Sequence, residues 1–77
     1  LVQQGLQLWN GGDKTQAMDY FQASLKIQPD NPEAMFYVGR LYQESGDTEN
    51  ANALFDKVVG EHGDTEYAER ARNARGY

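Results

Sequence analysis

Apolar residues recur at helical spacing in five stretches of the chain, each bounded by glycine, proline or a small capping residue. In the first, Val2, Leu6 and Trp9 form one line, and Leu1, Gly5 and Leu8 form another beside it. This spacing predicts a helix over about residues 1–10 with two contact faces. Asn10-Gly11-Gly12 ends it, because glycine adopts the left-handed backbone that helix ends favour. Asp13 is placed to cap a second helix, whose packing face of Ala17, Tyr20, Phe21, Ser24 and Leu25 runs until Pro29 closes the segment.

Asn31-Pro32 restarts the chain: Asn caps exposed N–H groups, and Pro suits the first helical position, where its missing N–H is not needed. A third helix is expected from residue 32 to about 44, with Met35, Val38, Gly39 and Tyr42 on one face. Ser45-Gly46-Asp47 makes the next turn. The fourth helix runs from about 48 to 59 or slightly beyond, packing Ala51, Leu54, Phe55 and Val58, with Gly60 and Gly63 as loose end markers. Asp64 or Thr65 caps a fifth, roughly residues 66–75, with the mild face Tyr67, Ala68, Ala71 and Ala74. No segment shows the alternation of a half-buried strand.

Two of these stretches are written alike. GDKTQAMDYF begins at Gly12 and GDTENANALF at Gly46, so that Gly12 and Gly46, Asp13 and Asp47, Ala17 and Ala51, and Phe21 and Phe55 each lie 34 residues apart. A period of this size is the signature of stacked supersecondary units. Helix, Gly-Asp turn and helix in 34 residues, with Gly5 and Gly39, Ala17 and Ala51, Phe21 and Phe55 in register and Pro29 at the unit's end, resembles the tetratricopeptide repeat. The small residues let neighbouring helices approach closely.

The resemblance implies an all-α fold, a right-handed stack of antiparallel helix hairpins with about five helices. Its units would be residues 1–31, residues 32–63, and a capping or partial-repeat helix over 64–77. Some positions depart from the family pattern. Leu1 and Leu8 stand where Trp and Tyr are common, Ser24 and Val58 replace a usual Ala, and Gly63 replaces Pro, which leaves the path between the fourth and fifth helices undefined. The fifth helix suits the polar cap that such arrays need at their ends.

Composition narrows the function classes. With 77 residues, 39% hydrophobic and 25% charged, the chain is one small domain. It has no cysteine for a disulfide framework or a thiolate metal site, so packing must hold it together. The net charge of −5 argues against nucleic acid as partner, since that affinity rests on neutralising phosphates. Arg70, Arg72 and Arg75 make a locally basic end on this acidic body. No apolar run reaches the roughly 20 residues that span a bilayer, so direct membrane insertion is not expected. The chain opens on Leu1, which points to a segment of a longer protein, and the sequence assigns no compartment.

Catalytic readings fail for want of a constellation. His62 is the sole histidine, sits beside glycines in a turn, and has no Cys or second His with which to share a metal. Gly11-Gly12-Asp13-Lys14-Thr15 ends like a phosphate loop but lacks the first glycine at the required spacing and the preceding strand. Glu44, Asp47 and Glu49 fall between helices, where solvation and capping account for them. Neither an enzyme activity, a cofactor nor a metal is expected.

A binding surface remains. The first helices of such a stack line its concave side, which solenoids offer to partners. The family resemblance assigns the groove-facing slots to Val2, Leu6 and Trp9; to Glu33, Phe36, Arg40 and Gln43; and to Tyr67 and Arg70. Spacing agrees: Val2–Leu6–Trp9 and Phe36–Arg40–Gln43 are i, i+4, i+7 stripes beside the packing stripe. Arginines with aromatic neighbours suit an acidic or aromatic-containing peptide through bidentate pairing and cation–π contact. Simple packing of Phe36 against Tyr67 is the plainer alternative.

The chaperone-tail clamp of this family would need Lys, Asn or Arg at Val2, Leu6, Tyr37, Tyr67 and Ala71, and none matches. The expected function is therefore protein–protein interaction, the groove holding a peptide or helix of another protein. The alternative is a self-association or structural segment of a longer array, docking through the Val2/Leu6/Trp9 face onto a second copy or an adjacent repeat. Exposed apolar patches of that kind mark a missing neighbour.

Overall fold

The computed structural model describes residues 1–76. Tyr77, the last residue of the expected 64–77 segment, lies outside the described residues. The described residues form five helices and no strand: α1 (Val2–Asn10), α2 (Lys14–Ile27), α3 (Pro32–Glu44), α4 (Thr48–Glu61) and α5 (Glu66–Arg75).

Each helix start after the first has its own side-chain cap. Asp13 Oδ1 accepts from the Gln16 N–H at 3.1 Å, Asn31 Oδ1 from Glu33 at 3.0 Å, and Asp47 Oδ1 from Asn50 at 3.3 Å. Of the two candidates before α5, Thr65 is the cap, its Oγ1 accepting from Ala68 N–H at 3.3 Å. Such caps satisfy donors that a helix leaves open at its start.

Several local expectations change. In Gly11-Gly12 the left-handed residue is Gly12, with φ +92°, matched by Gly46 at +88° in the second turn. Gly60 does not end α4, which runs through it to Glu61; one glycine inside a helix costs only about 1 kcal/mol, and packing of the preceding turns outweighs it. Tyr20, expected on the packing face of α2, is 36% exposed. Its place one step before Phe21 turns it about 100° away from the buried line.

The recurring Gly and Phe are partners. A Cβ built on Gly5 would lie 2.6 Å from the Phe21 ring, and one built on Gly39 would lie 2.7 Å from the Phe55 ring. Both rings are fully buried. Thus α1 rests on α2, and α3 on α4, through the same glycine–ring contact 34 residues apart.

Helix α3 is the shared wall between the two hairpins. Its Val38 and Leu41 join Ala17 and Phe21 in one core, while its Met35 and Phe36 join Ala51, Phe55, Val58, Ala68 and Ala71 in another. Leu25, Tyr37, Tyr42 and Leu54 touch both. The fifth helix contributes Ala68 and Ala71 to the second core. No described helix is long and apolar enough to cross a membrane.

Candidate binding groove

Helices α1, α3 and α5 are tied together by a strip of rings. Tyr37 is its centre: Trp9 meets it edge-on at 5.9 Å between ring centroids, and Tyr67 meets it edge-on at 6.2 Å. Phe21 stacks beneath Tyr37 at 5.3 Å. Edge-on and offset contacts satisfy the ring quadrupoles as well as burying area. Trp9, Tyr37 and Tyr67 project from the odd-numbered helices, and Phe21 of α2 touches both Trp9 and Tyr37.

Two polar ties hold α5 against α3. The Tyr67 hydroxyl donates to Glu33 Oε2 at 2.6 Å, and Gln43 Nε2 donates to the Ala74 carbonyl at 2.8 Å. Burial, joined by the hydrogen bond to Glu33, pushes the Tyr67 pKa well above the ordinary tyrosine value of 10.0. The phenol therefore keeps its proton and remains a donor throughout the neutral range.

The expected site residues separate into distinct roles. Glu33, Phe36, Tyr67 and Arg70 are brought together around the Tyr67 ring, which lies 6.1 Å from Phe36 and 5.2 Å from the Arg70 guanidinium carbon. Phe36 is only 7% exposed, so it supports this surface from below, and the plainer alternative of Phe36 packing against Tyr67 describes its contacts. Arg70 is occupied locally, 3.5 Å from Glu66 one turn earlier. Gln43 sits at the other end of α3, tied to α5. Val2, Leu6 and Trp9 are half-buried against the first core, and Val2 also lines an open cleft of about 570 Å³ with Gln3, Ser24, Ile27 and Asn31.

Arg40 differs from all of these. It is half-buried, its Nε is closed off without an acceptor, and no ion pair or hydrogen bond to it occurs among the described residues. Tyr37, central to the strip, was not among the expected groove residues. Its signal was present in the sequence: it precedes Arg40 by three residues, one helical turn, and so shares its side of α3. Among the described residues no group of His, Cys, Asp and Glu is arranged to hold a metal ion.

The family profile described as tetratricopeptide repeat matches residues 9–74, most of the chain. This chain belongs to the tetratricopeptide repeat family. Membership points to protein–protein interaction as the kind of work it does. Among curated relatives, this tetratricopeptide repeat chain is 34% identical over 57 residues to the photosystem I assembly protein Ycf3 of Cyanophora paradoxa, covering 65% of this chain and 33% of that protein. It is 33% identical over 61 residues to Ycf3 of Prochlorococcus marinus strains NATL1A and NATL2A, covering 75% of this chain and 35% of theirs. The chain thus spans about a third of the length of these relatives. No solved structure matches it.

Proposed function

We propose that this tetratricopeptide repeat chain is a non-catalytic interaction module that holds a peptide or helix of a partner protein along α1, α3 and α5. The observation that carries the reading is the ring strip Trp9–Tyr37–Tyr67 running across all three helices with unpaired Arg40 beside it. Rings supply contact area at low entropic cost, and arginines supply orientation, the combination that concentrates binding energy at interfaces. The partner segment this surface suits is acidic or aromatic-containing. Assembly work of the kind named in the Ycf3 relatives is one setting in which such a module would operate.

The test uses peptides selected from a random display library on the immobilised chain. Arg40→Glu with Arg70→Glu should abolish their binding while leaving the helical circular dichroism intact; unchanged affinity would sink the groove assignment.

A second reading is favoured by the end of the molecule where Leu1 is 43% and Ile27 77% exposed beside the cleft that Val2 lines. On that reading the α1 face, with Val2, Leu6 and Trp9, docks onto another copy or repeat. Sedimentation velocity across a concentration series decides it: an apparent mass near 8.7 kDa throughout excludes self-association, and a rising mass supports it.

A further inference from the structure

We infer that Arg40 is the carboxylate anchor of this surface, so that the partner segment must place an Asp or Glu side chain, rather than diffuse negative charge, at the middle of α3. The inference rests on the groove reading and sharpens it to one residue and one chemical group.

Three observations single out Arg40. First, the other candidate cation is already engaged: Arg70 has Glu66 at 3.5 Å and the Tyr67 ring at 5.2 Å. Second, Arg40 is the one cation on α3, between Glu33 and a Glu44 that is held by Lys14 at 3.2 Å. Glu33 stands near its start with one carboxylate oxygen on the Tyr67 hydroxyl, so an incoming acid is repelled there. Arg40 lies seven residues on, about 10 Å along the axis at 1.5 Å per residue. Third, Arg40 is part-desolvated and unpaired. Its Nε is shut from water with no acceptor, while its two Nη atoms form no hydrogen bond and stay outside the buried set.

A guanidinium held this way has already lost part of its hydration, so a carboxylate meeting its Nη edge gains more than it would at an exposed arginine. Two parallel N–H···O bonds fix the acid in one place and orientation, which a lysine or a diffuse basic patch would not do. Tyr37, one turn before Arg40, and Trp9 beyond it supply the apolar contact for residues flanking the acid.

The experiment starts from twelve-residue peptides selected by display on the wild-type chain, synthesised with each acidic residue and with its amide counterpart. Dissociation constants are measured by calorimetry, and the backbone amides of residues 9, 37, 40 and 67 are followed by NMR. One acidic position should dominate. Its change to the amide should weaken binding about tenfold, as loss of one charge-assisted pair does. Arg40→Gln should give a similar loss, and both changes together little more, whereas Arg70→Gln should change affinity less than threefold. Arg40→Lys keeps the charge and still loses the bidentate fit, so it should fall between.

Equal binding by Arg40→Gln and wild type, with the groove amides still shifting, overturns the anchor and leaves the groove reading standing. Shifts confined to residues away from 9, 37, 40 and 67 overturn both. Selected peptides without any acidic preference overturn the anchor alone. Should Arg40→Gln lose its helical signal, the peptide amide series on the wild-type chain still decides.

Discussion

The same substitution, Gly→Ala, should affect stability differently at two helical positions, and the structure sets the size of the difference. At Gly39 a new Cβ would fall 2.7, 3.1 and 3.2 Å from three atoms of the Phe55 ring. That ring cannot retreat: Phe55 is 0% exposed, with Phe36 at 6.0 Å between centroids. At Gly60, within α4, a Cβ meets nothing within 4 Å. Alanine brings both helices the same propensity gain, up to about 1 kcal/mol, and only Gly39 also meets the overpacking cost of about 1–3 kcal/mol.

Gly60→Ala should therefore stabilise slightly, and Gly39→Ala should be neutral to destabilising by up to about 2 kcal/mol. For a domain of this size each kcal/mol is about 4–8 °C in Tm, so the two variants should melt visibly apart. Urea and thermal unfolding followed by circular dichroism at 222 nm measure both. Equal stability of the two variants would refute the close approach of α3 to α4. Gly5→Ala, with its Cβ 2.6 Å from Phe21, should follow Gly39 rather than Gly60.

Further outcomes follow from the ties between α3 and α5. Because the Tyr67 pKa is raised in the folded chain, the folded state retains a proton that the unfolded state, near 10.0, gives up. The stability this contributes is complete below pH 10 and is lost as pH rises above it toward the raised value. Tyr67→Phe should thus cost on the order of 1 kcal/mol at neutral pH and show a shallower alkaline loss than wild type; parallel unfolding curves up to pH 11 would contradict the burial of the phenol and its bond to Glu33 that together raise its pKa. Gln43→Ala removes the donor to the Ala74 carbonyl and should speed amide exchange in the last turn of α5 while leaving α2 unchanged, as hydrogen exchange read residue by residue would show.

The helices were legible because their apolar spacing and their breaks agree: Asp13, Asn31 and Asp47 stand where caps belong, and the pairs Gly5–Phe21 and Gly39–Phe55 repeat in register. The proposed groove was legible only by face. That Phe36 is sunk while Arg40 stays half-open depends on how deeply α5 settles on α3, which no i, i+4 spacing encodes. The Tyr67–Glu33 bond joins residues 34 positions apart, the repeat length itself, so the same slot on successive first helices ends up side by side. The repeat supplies that adjacency; the partner atoms follow from side-chain geometry. Arg70 was expected to face the groove, and Glu66 one turn earlier lies 3.5 Å from it.

The chain carries one tryptophan, and it is lodged edge-on against both Phe21 at 6.2 Å and Tyr37 at 5.9 Å, where the first helix meets the third. Indole emission shifts in colour with the polarity around it, so this residue is a built-in optical gauge. Loosening of α1 would expose the ring and redden its light, whereas a ligand covering it would turn the emission bluer. Docking of the first helix and occupancy of the groove can therefore be followed in one unlabelled sample, by two displacements of opposite sign.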